Sequence, residues 1–294
     1  MTRDRQALLL GLTAVLLWST VATAFKLALQ ELDVFQLVAS AVLVSAAALL
    51  VLVALRGKLG LLATYARQHL PFYLLLALLN PLLYYLVLLR AYDLLPAQQA
   101  QPINYTWAIT LALLAVPLLG QKLSGRDVVA AIMGYGGVVI IATRGQLLEM
   151  EFDSGEGVSL ALISTVLWAL YWLLSTRNPR DPLVSLCLNF LLAAPCALVI
   201  CMTFSTLVLP TLKGALAAIW IGLFEMGVTF ALWSTALRLA SGVARIGNLI
   251  FLSPLISLVL IATVLGEIIH PATLVGLMLI IPAVLLQQSQ PAKA

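Results

Sequence analysis

The sequence is poor in charged residues, which make up 10% of its 294 positions, and it contains only two histidines and three cysteines. An ordinary soluble domain carries roughly 25% charged residues. Hydrophobic residues make up 63% of the chain, and its mean hydropathy is +1.09. Too little polar surface is left to cover a soluble globule of this size. The composition therefore excludes an ordinary soluble fold and indicates a protein of the lipid bilayer.

Motifs of nucleotide-driven pumps and of common hydrolases are also missing. No G-x-x-x-x-G-K segment is present, so the chain lacks the loop that cradles ATP phosphates. Neither H-E-x-x-H nor G-x-S-x-G occurs, and the two histidines, His69 and His270, fall at predicted helix ends. The three cysteines share one predicted helix without the spacing of a metal site, so packing accounts for them. The sequence predicts no enzyme, no cofactor and no metal.

Long apolar runs, separated by short charged segments, are the main positive feature of the chain. Their lengths of about 18 to 24 residues match the span needed to cross about 30 Å of hydrocarbon. The pattern predicts an all-α integral membrane protein with ten transmembrane helices. The predicted spans are residues 6–27, 33–55, 71–91, 97–119, 126–143, 157–176, 182–205, 211–233, 243–264 and 270–288.

The basic residues of the loops indicate the orientation of these helices, because cytoplasmic loops are enriched in Lys and Arg. With a cytoplasmic N-terminus, twelve basic residues lie inside and four outside. The inside set is Arg3, Arg5, Arg56, Lys58, Arg67, Lys122, Arg126, Arg177, Arg180, Arg238, Arg245 and Lys293, and the outside set is Lys26, Arg90, Arg144 and Lys213. Both termini are therefore predicted in the cytoplasm, with the protein in the inner (plasma) membrane. The basic residues form no single patch, so we expect no nucleic-acid partner.

The chain repeats one pattern in its two halves. Trp18 returns as Trp168, and Gly120-Gln121 returns as Gly266-Glu267. Each half holds five predicted spans, and because five is odd the two halves must enter the membrane in opposite orientations. Such inverted repeats are the architecture of secondary transporters, whose substrate site lies near the bilayer midplane. We predict two inverted-topology five-helix repeats at residues 1–150 and 151–294.

The first apolar run has features of a signal peptide as well as of a membrane helix. Arg3 and Arg5 precede it, and the small-x-small triplet Ala22-Thr23-Ala24 lies near its end. The run is longer than the 7–15 residues or so of an ordinary signal core, and Trp18 has a counterpart in Trp168. We therefore interpret this segment as the first transmembrane helix.

Several short motifs resemble those of the drug/metabolite transporter superfamily, in its EamA-type branch. The motifs are Trp18-Ser19-Thr20-Val21-Ala22-Thr23-Ala24-Phe25-Lys26, Ala236-Leu237-Arg238, Leu252-Ser253-Pro254-Leu255 and Leu265-Gly266-Glu267. The similarity covers essentially the whole chain, although Gln121 stands where the family usually has Glu. In layout, and in aromatics such as Tyr105 and Trp107, the chain is most similar to the YddG-type exporters of aromatic amino acids. The resemblance implies ten helices and export of aromatic and other amino acids.

Glu225 is the one acidic residue that the predicted spans place deep in the membrane. Thr229 and Trp233 follow at i+4 and i+8, so an ideal helix puts all three on one face. Ionisable groups inside a bilayer are costly and usually functional. Glu225 is therefore the candidate to meet a substrate ammonium, another cation or a proton. The alternative is a protonated Glu that hydrogen-bonds a neighbouring helix and serves packing alone.

Polar and aromatic residues of the other spans complete a predicted cavity. Asn80 and Tyr84 are one turn apart on the third span, with Pro81 between them. A lining of Trp, Tyr, Asn and one carboxylate suits a zwitterion with an aromatic side chain, and each ring contact contributes about 0.5–2 kcal/mol. An interfacial belt or packing explains Tyr92 and Trp220 better, and core packing is the competing explanation for the rest. The predicted cavity residues are Trp18, Asn80, Tyr84, Asn104, Tyr105, Trp107, Trp168, Tyr171, Trp172, Glu225 and Trp233.

These features together predict a secondary transporter that exports aromatic and other amino acids by alternating access through a central cavity. The alternative is an exporter of organic cations or drugs, with Glu225 as the counter-charge. A channel is disfavoured because one chain with an internal repeat offers no ring of repeated charges. The expected partners are a small-molecule substrate and the lipid bilayer, while the oligomeric state and proton coupling stay open. Gly134, Gly136 and Gly137 of the fifth span are predicted to allow close helix approach.

Overall fold

The computed structural model describes residues 3–120, 122, 124–148, 153–239, 246 and 248–288. Gln121, Arg245 and Lys293 of the sequence predictions lie outside these residues, as does the side chain of Arg238. Within the described part of the chain, all regular secondary structure is helical. This confirms the prediction of an all-α fold.

Eight helices are long and apolar enough to cross a membrane, and two shorter apolar helices follow them. The eight are α1 (Arg3–Leu29), α2 (Val34–Leu55), α3 (Leu59–Leu94), α4 (Ala97–Leu119), α5 (Gly125–Ala142), α6 (Gly155–Thr176), α7 (Pro182–Phe204) and α8 (Leu212–Leu237). The shorter two are α9 (Leu252–Val264) and α10 (Pro271–Gln288). They occupy the positions predicted for ten spans, so the chain is a multi-span integral membrane protein.

The third helix begins about a dozen residues before its predicted start. The predicted span 71–91 covers only the apolar part of α3, because the preceding turns contain Arg67, Gln68 and His69. His69 leaves the helical backbone region, with φ −145° and ψ 39°, and the helix continues across a kink at this point. A hydropathy pattern detects the membrane-crossing part of a helix and misses its polar extension.

Four of the long helices are interrupted inside the apolar segment. α1 breaks at Thr20 and α4 at Thr106, each between two α-helical pieces. α3 and α8 instead contain π-helical turns, at Leu78–Leu83 and Ile221–Glu225. These two helices are the third of each predicted repeat, and π turns occur frequently at functional sites. The turns hold Asn80 and Glu225, so they position two of the predicted cavity residues.

The chain folds into two compact units that do not coincide with the predicted repeats. The units are Met1–Leu86 with Asn178–Leu260, and Val87–Arg177 with Ile261–Ala294. In the first unit, α1 packs on α8, and α7 packs on α2 and on the first part of α3. In the second unit, α5 packs on α10 and α4 packs on α6. Each unit takes helices from both halves of the sequence, and the division into repeats at 1–150 and 151–294 stays a prediction.

Glycines bring α5 of the second unit into close contact with α10 and with α4. A Cβ atom built on Gly137 would lie 2.7 Å from the carbonyl oxygen of Gly276, and one built on Gly134 would lie 2.1 Å from Ile109 Cδ1. A Cβ atom on Gly136 would meet no atom within 4 Å. The prediction of close helix approach is therefore confirmed for Gly134 and Gly137. It is wrong for Gly136, which faces away from the contact.

Glu267 connects α4 to the turn before α10 in the second unit. Gly266 adopts φ +69°, a left-handed conformation that suits glycine, just beyond the end of α9. The Glu267 carboxylate accepts hydrogen bonds from the backbone N–H groups of Ala97 and Gln98, at 2.9 and 3.2 Å. A negative charge stabilises a helix N-terminus, so the Leu-Gly-Glu motif has a structural role at the start of α4.

Aspartates begin the second helix of each predicted repeat, both in the first unit. Asp33 caps α2 by accepting from Gln36 N at 3.0 Å, and it also accepts from the Ser205 hydroxyl beyond α7. Asp181 caps α7 by accepting from the N–H groups of Leu183 and Val184 at 3.0 and 3.1 Å. Asp33 therefore joins a helix start to a segment distant in sequence, and Asp181 does the same by accepting a hydrogen bond from the Lys58 ammonium.

The carboxyl of Asp181 is expected to make stability depend on acid pH. Burial raises the pKa of Asp181, but the ammonium of Lys58 and the N–H groups of Val184 and Leu183 outweigh it, so the pKa lies below its usual range. Lys58 Nζ lies 2.5 Å from Asp181 Oδ2. A carboxyl whose pKa is lower in the folded chain adds stability above its unfolded pKa of about 3.9, and this stability is lost as the pH falls through the folded pKa.

We expect Asp181→Asn to flatten this pH dependence, because Asn keeps a capping side chain and removes the charge. The melting temperature in detergent, followed by tryptophan fluorescence, should fall less between about pH 5 and pH 3 in the variant than in the wild type. Parallel curves for the two proteins would show that the Lys58 pair contributes nothing measurable.

Candidate functional site

The first unit gathers an acid and several aromatic rings around the π turn of α8. Tyr85 Oη donates a hydrogen bond to Glu225 Oε1 at 3.1 Å, and Trp18 Nε1 lies 3.5 Å from the backbone carbonyl oxygen of Glu225. Trp18 meets Phe230 and Trp233 edge-on, with ring centroids 5.5 and 5.4 Å apart. We call these five residues the Glu225 group.

The π turn is seated on α2 by close packing and one hydrogen bond. The Ser45 hydroxyl donates to the carbonyl oxygen of Gly222 at 2.7 Å. A Cβ atom on Gly222 would lie 2.8 Å from the carbonyl oxygen of Ala41, so only glycine permits this approach. The Thr229 hydroxyl donates to the carbonyl of Phe224. These contacts satisfy backbone groups that a π turn would otherwise leave unpaired in the membrane.

The Glu225 carboxylate has no cationic partner among the described residues. Its Oε1 accepts from a neutral phenol, and its Oε2 has neither hydrogen bond nor ion pair within the same part of the chain. The side chain is only half-buried. The five ion pairs that the described residues form all lie near helix ends. A lone carboxylate with one open oxygen can take a ligand cation or a proton.

Asn80 occupies the π turn of α3 with a buried and unsatisfied amide oxygen. Its backbone is extended, with φ −146° and ψ 120°, its residue is 2% exposed, and Oδ1 has no hydrogen-bond partner among the described residues. Asn189 of α7, which packs against this turn, is 1% exposed and also has an unpaired Oδ1. Burying an unpaired acceptor is costly, so both amides are candidates to bind a donor that enters the protein.

Tyr85 and Phe230 are the two residues of this group that were not predicted from the sequence. An α-helical spacing of four from Asn80 selects Tyr84, which was predicted. The π turn contains an extra residue, so the spacing that returns to the same face becomes five and selects Tyr85. Tyr84 is also buried and packs edge-on against Tyr85, with centroids 4.8 Å apart. Pro81 is the sequence signal for a broken helix at this position.

Four aromatic residues form a second group, within the other unit. Trp168 lies 6.4 Å from Trp107, 5.7 Å from Tyr171 and 6.0 Å from Trp172, measured between ring centroids. Trp107 and Trp172 are stacked at 6.5 Å. The indole Nε1 of Trp172 is buried and has no hydrogen-bond partner among the described residues. We call these four residues the Trp168 group.

Polar contacts join α4, α5 and α6 beside the Trp168 group. Asn104 Nδ2 donates to the Ser164 hydroxyl at 2.9 Å. The Thr110 hydroxyl lies 2.8 Å from Tyr135 Oη and 2.9 Å from Thr165 Oγ1. These hydroxyl residues were not among those predicted from the sequence, since single Ser and Thr side chains are common in packed membrane helices.

The predicted cavity residues therefore fall into two sets, one in each unit. Trp18 and Trp233 belong to the Glu225 group, with Asn80 and Tyr84 placed on the helix that contributes Tyr85. Trp107, Trp168, Tyr171 and Trp172 form the Trp168 group. Asn104 bonds α6 beside that group, and Tyr105 is half-buried on the same helix as Asn104.

Comparison with known proteins places these features in a wider context. The sequence matches the EamA-like transporter family over residues 5–143 and 155–287. It is 27% identical over 259 residues to the aromatic amino acid exporter YddG of Ancylobacter novellus, covering 87% of each chain. It is 29% identical over 246 residues to the uncharacterized transporter YvbV of Bacillus subtilis, covering 81% of this chain and 77% of that one. A protein of known crystal structure, 24% identical in sequence, has the same fold with a TM-score of 0.68 over 95% of both chains.

Proposed function

Because the chain belongs to the EamA-like transporter family, and is thus a membrane transporter and not an enzyme, we propose that it exports aromatic and other amino acids. The observation that carries the proposal is the Glu225 carboxylate, which has an open oxygen and no cation beside it among the described residues. An amino acid brings an ammonium that matches this group. The similar exporter YddG supports the aromatic part of the proposal.

The Glu225 group suits the amine end of such a substrate. An ammonium donates charge-assisted hydrogen bonds to a carboxylate. Nearby aromatic rings attract it as well, and each such cation–π contact is worth about 0.5–2 kcal/mol. The unpaired amide oxygens of Asn80 and Asn189 offer further acceptors on the helices of the same unit. Several weak contacts suit a transporter, which must release what it binds.

The Trp168 group, within its own unit, suits the ring of an aromatic amino acid. Offset or edge-on ring contacts add about 0.5–1.5 kcal/mol each beyond area burial. We assign aromatic selectivity to this group.

We further propose that transport proceeds by alternating access through a cavity between the two predicted repeats, in the inner membrane and with both termini cytoplasmic. The internal repeat supports this mechanism, because inverted repeats can rock about a fixed site. The distribution of basic residues between alternate loops supports the orientation.

Flux into proteoliposomes tests the proposal directly. Purified protein should move radiolabelled phenylalanine into vesicles preloaded with unlabelled phenylalanine, and unlabelled tryptophan or tyrosine should compete. Protein-free vesicles supply the background. The second candidate, export of organic cations, is favoured by the aromatic rings near Glu225. Transport of tetraphenylphosphonium without transport of any amino acid would overturn the proposal and support that candidate.

A further inference from the structure

We propose that this transporter exchanges its substrate for a proton, with Glu225 holding each in turn and Tyr85 positioning its carboxyl group. The inference rests on the proposed function, since it names the ion that moves against the amino acid. It starts from two facts about one side chain: Glu225 is half-buried inside a predicted membrane helix, and only one of its two oxygens is engaged within the described residues.

The elements packed against the π turn of α8 supply no counter-charge within the described chain. α1 contributes Trp18, and its ionisable residues lie near its ends: Asp4 and Arg5 in the first turns, and Lys26 in the last turn. α2 contributes Ser45 and has no charged residue between Val34 and Leu55. α3 contributes the phenols of Tyr84 and Tyr85.

α8 itself carries no other charged residue near the turn. Lys213 lies in its first turn, and its Nζ is 4.0 Å from Glu31. The next basic residue along the chain, Arg238, follows Glu225 by more than three α-helical turns. Among the described residues, the groups that surround this turn are therefore phenols, indoles and hydroxyls, all of them neutral, and the phenol of Tyr85 is the one bonded to the Glu225 carboxylate.

A carboxylate in such surroundings needs a positive partner, because an isolated charge in a low-dielectric membrane interior costs several kcal/mol. When no substrate is bound, a proton is the available partner, and the carboxyl is neutral. When an ammonium arrives, its charge stabilises the carboxylate, and the proton leaves to the side from which the substrate came. The two occupants compete for one group, and this competition is what couples their movements.

The cycle balances in protons and charge. A substrate bound from the cytoplasm releases one proton to the cytoplasm, and after the protein reopens, the substrate leaves to the outside. One proton from the outside then binds the vacated carboxylate. The protein reopens to the cytoplasm with Glu225 protonated, as it was at the start of the cycle. For a zwitterionic amino acid, one positive charge moves inward for each molecule exported. Both the pH gradient and an inside-negative potential therefore drive export.

Tyr85 is the positioning residue in this scheme. It is 1% exposed, and its hydroxyl donates to Oε1 at 3.1 Å, which leaves Oε2 open for the exchanging group. A donated hydrogen bond favours the charged form of a carboxyl. Removing the hydroxyl should therefore make proton release harder and move transport to higher pH, without removing the acid that carries the proton.

The decisive experiment uses the full chain in proteoliposomes, with membrane potential clamped by potassium and valinomycin. An imposed gradient of one pH unit should concentrate radiolabelled phenylalanine up to tenfold on the acidic side, since one unit is worth 1.36 kcal/mol. A pyranine signal should report protons moving in the opposite direction to a phenylalanine gradient. Phenylalanine flux with neither accumulation nor a proton signal overturns the inference and leaves the proposed function standing. Absence of any amino acid flux overturns the proposed function.

Three variants assign the exchange to these residues. Glu225→Gln should lose accumulation and the proton signal while keeping slow exchange of phenylalanine, and Glu225→Asp should restore coupling. Tyr85→Phe should keep coupling and move the pH of half-maximal transport upward. Tyr73→Phe is the matched control, because its buried phenol lies 3.2 Å from the Ser185 hydroxyl on α7, far along α3 from Tyr85. Equal pH profiles for the two tyrosine variants would overturn the role of Tyr85, and coupled transport by Glu225→Gln would overturn the role of Glu225.

Discussion

Replacing Gly137 with valine is expected to abolish the recovery of folded protein. The first carbon of any side chain here would lie 2.7 Å from the carbonyl oxygen of Gly276 and 2.9 Å from Ile280 Cγ1. Backbone atoms cannot move aside as a flexible side chain can, so α5 and α10 would have to separate. Overpacking of a well-packed core typically costs 1–3 kcal/mol and occasionally more, and a backbone clash belongs at the upper end. Close packing is also the main force between membrane helices.

Gly136→Val is the matched control, one residue away on the same helix. A side chain there meets nothing within 4 Å, and valine is no worse than glycine in a membrane helix. Monodisperse yield in detergent, measured by fluorescence-detected size exclusion, should fall at least tenfold for Gly137→Val and stay near the wild-type level for Gly136→Val. Similar yields for both variants would show that the α5–α10 contact does not limit folding.

Replacing Trp168 with alanine is expected to lower transport of aromatic amino acids by roughly 100-fold, which corresponds to about 2.7 kcal/mol. Trp168 meets all three other members of its group, as Trp172 also does. The substitution removes the Trp168 ring and also removes the contact that holds the other three rings of the group in place. Several ring contacts of about 0.5–1.5 kcal/mol each account for the size of the effect.

The measurement is kcat/KM for tryptophan relative to leucine in proteoliposomes. The ratio should fall with Trp168→Ala, since leucine depends less on ring contacts. Trp220→Ala is the control, because Trp220 is 38% exposed, packs against Phe224 with tilted rings and donates to Thr20 Oγ1 at 2.8 Å. This control should keep the wild-type ratio. An unchanged ratio in Trp168→Ala would remove the Trp168 group from substrate selection.

The helices could be predicted from the sequence, because hydropathy over twenty residues depends little on detailed packing. The family resemblance is likewise confirmed, over 5–143 and 155–287. The prediction for Glu225 selected a residue that the structure places with Trp18 and Trp233. An ionisable residue in an apolar run is a strong signal, since few structural roles justify its cost.

Features that depend on helix register could not be predicted. The prediction of Tyr84 assumed the spacing of an ideal α-helix and passed over Tyr85, whose hydroxyl donates to Glu225. Gly136 could not be told from Gly137 without knowing which face of α5 meets α10. The two compact units could not be predicted from the sequence either. The boundary between them falls inside α3, which contributes to both units, and not in a loop.

The π turns of α3 and α8 make these helices unusual targets for deletion. A π turn holds one residue more than an α turn, so each behaves like an insertion already present in the chain. Deleting one residue from an α-helical part of α3 would rotate everything after it by about 100°, whereas a deletion within Leu78–Leu83 can be absorbed by loss of the extra residue of the π turn. Tyr85 would therefore keep its approach to Glu225 better when the deletion falls within the turn than when it falls in the α-helical part before the turn. The two π turns are thus the positions at which these helices can lose a residue with the smallest change in register.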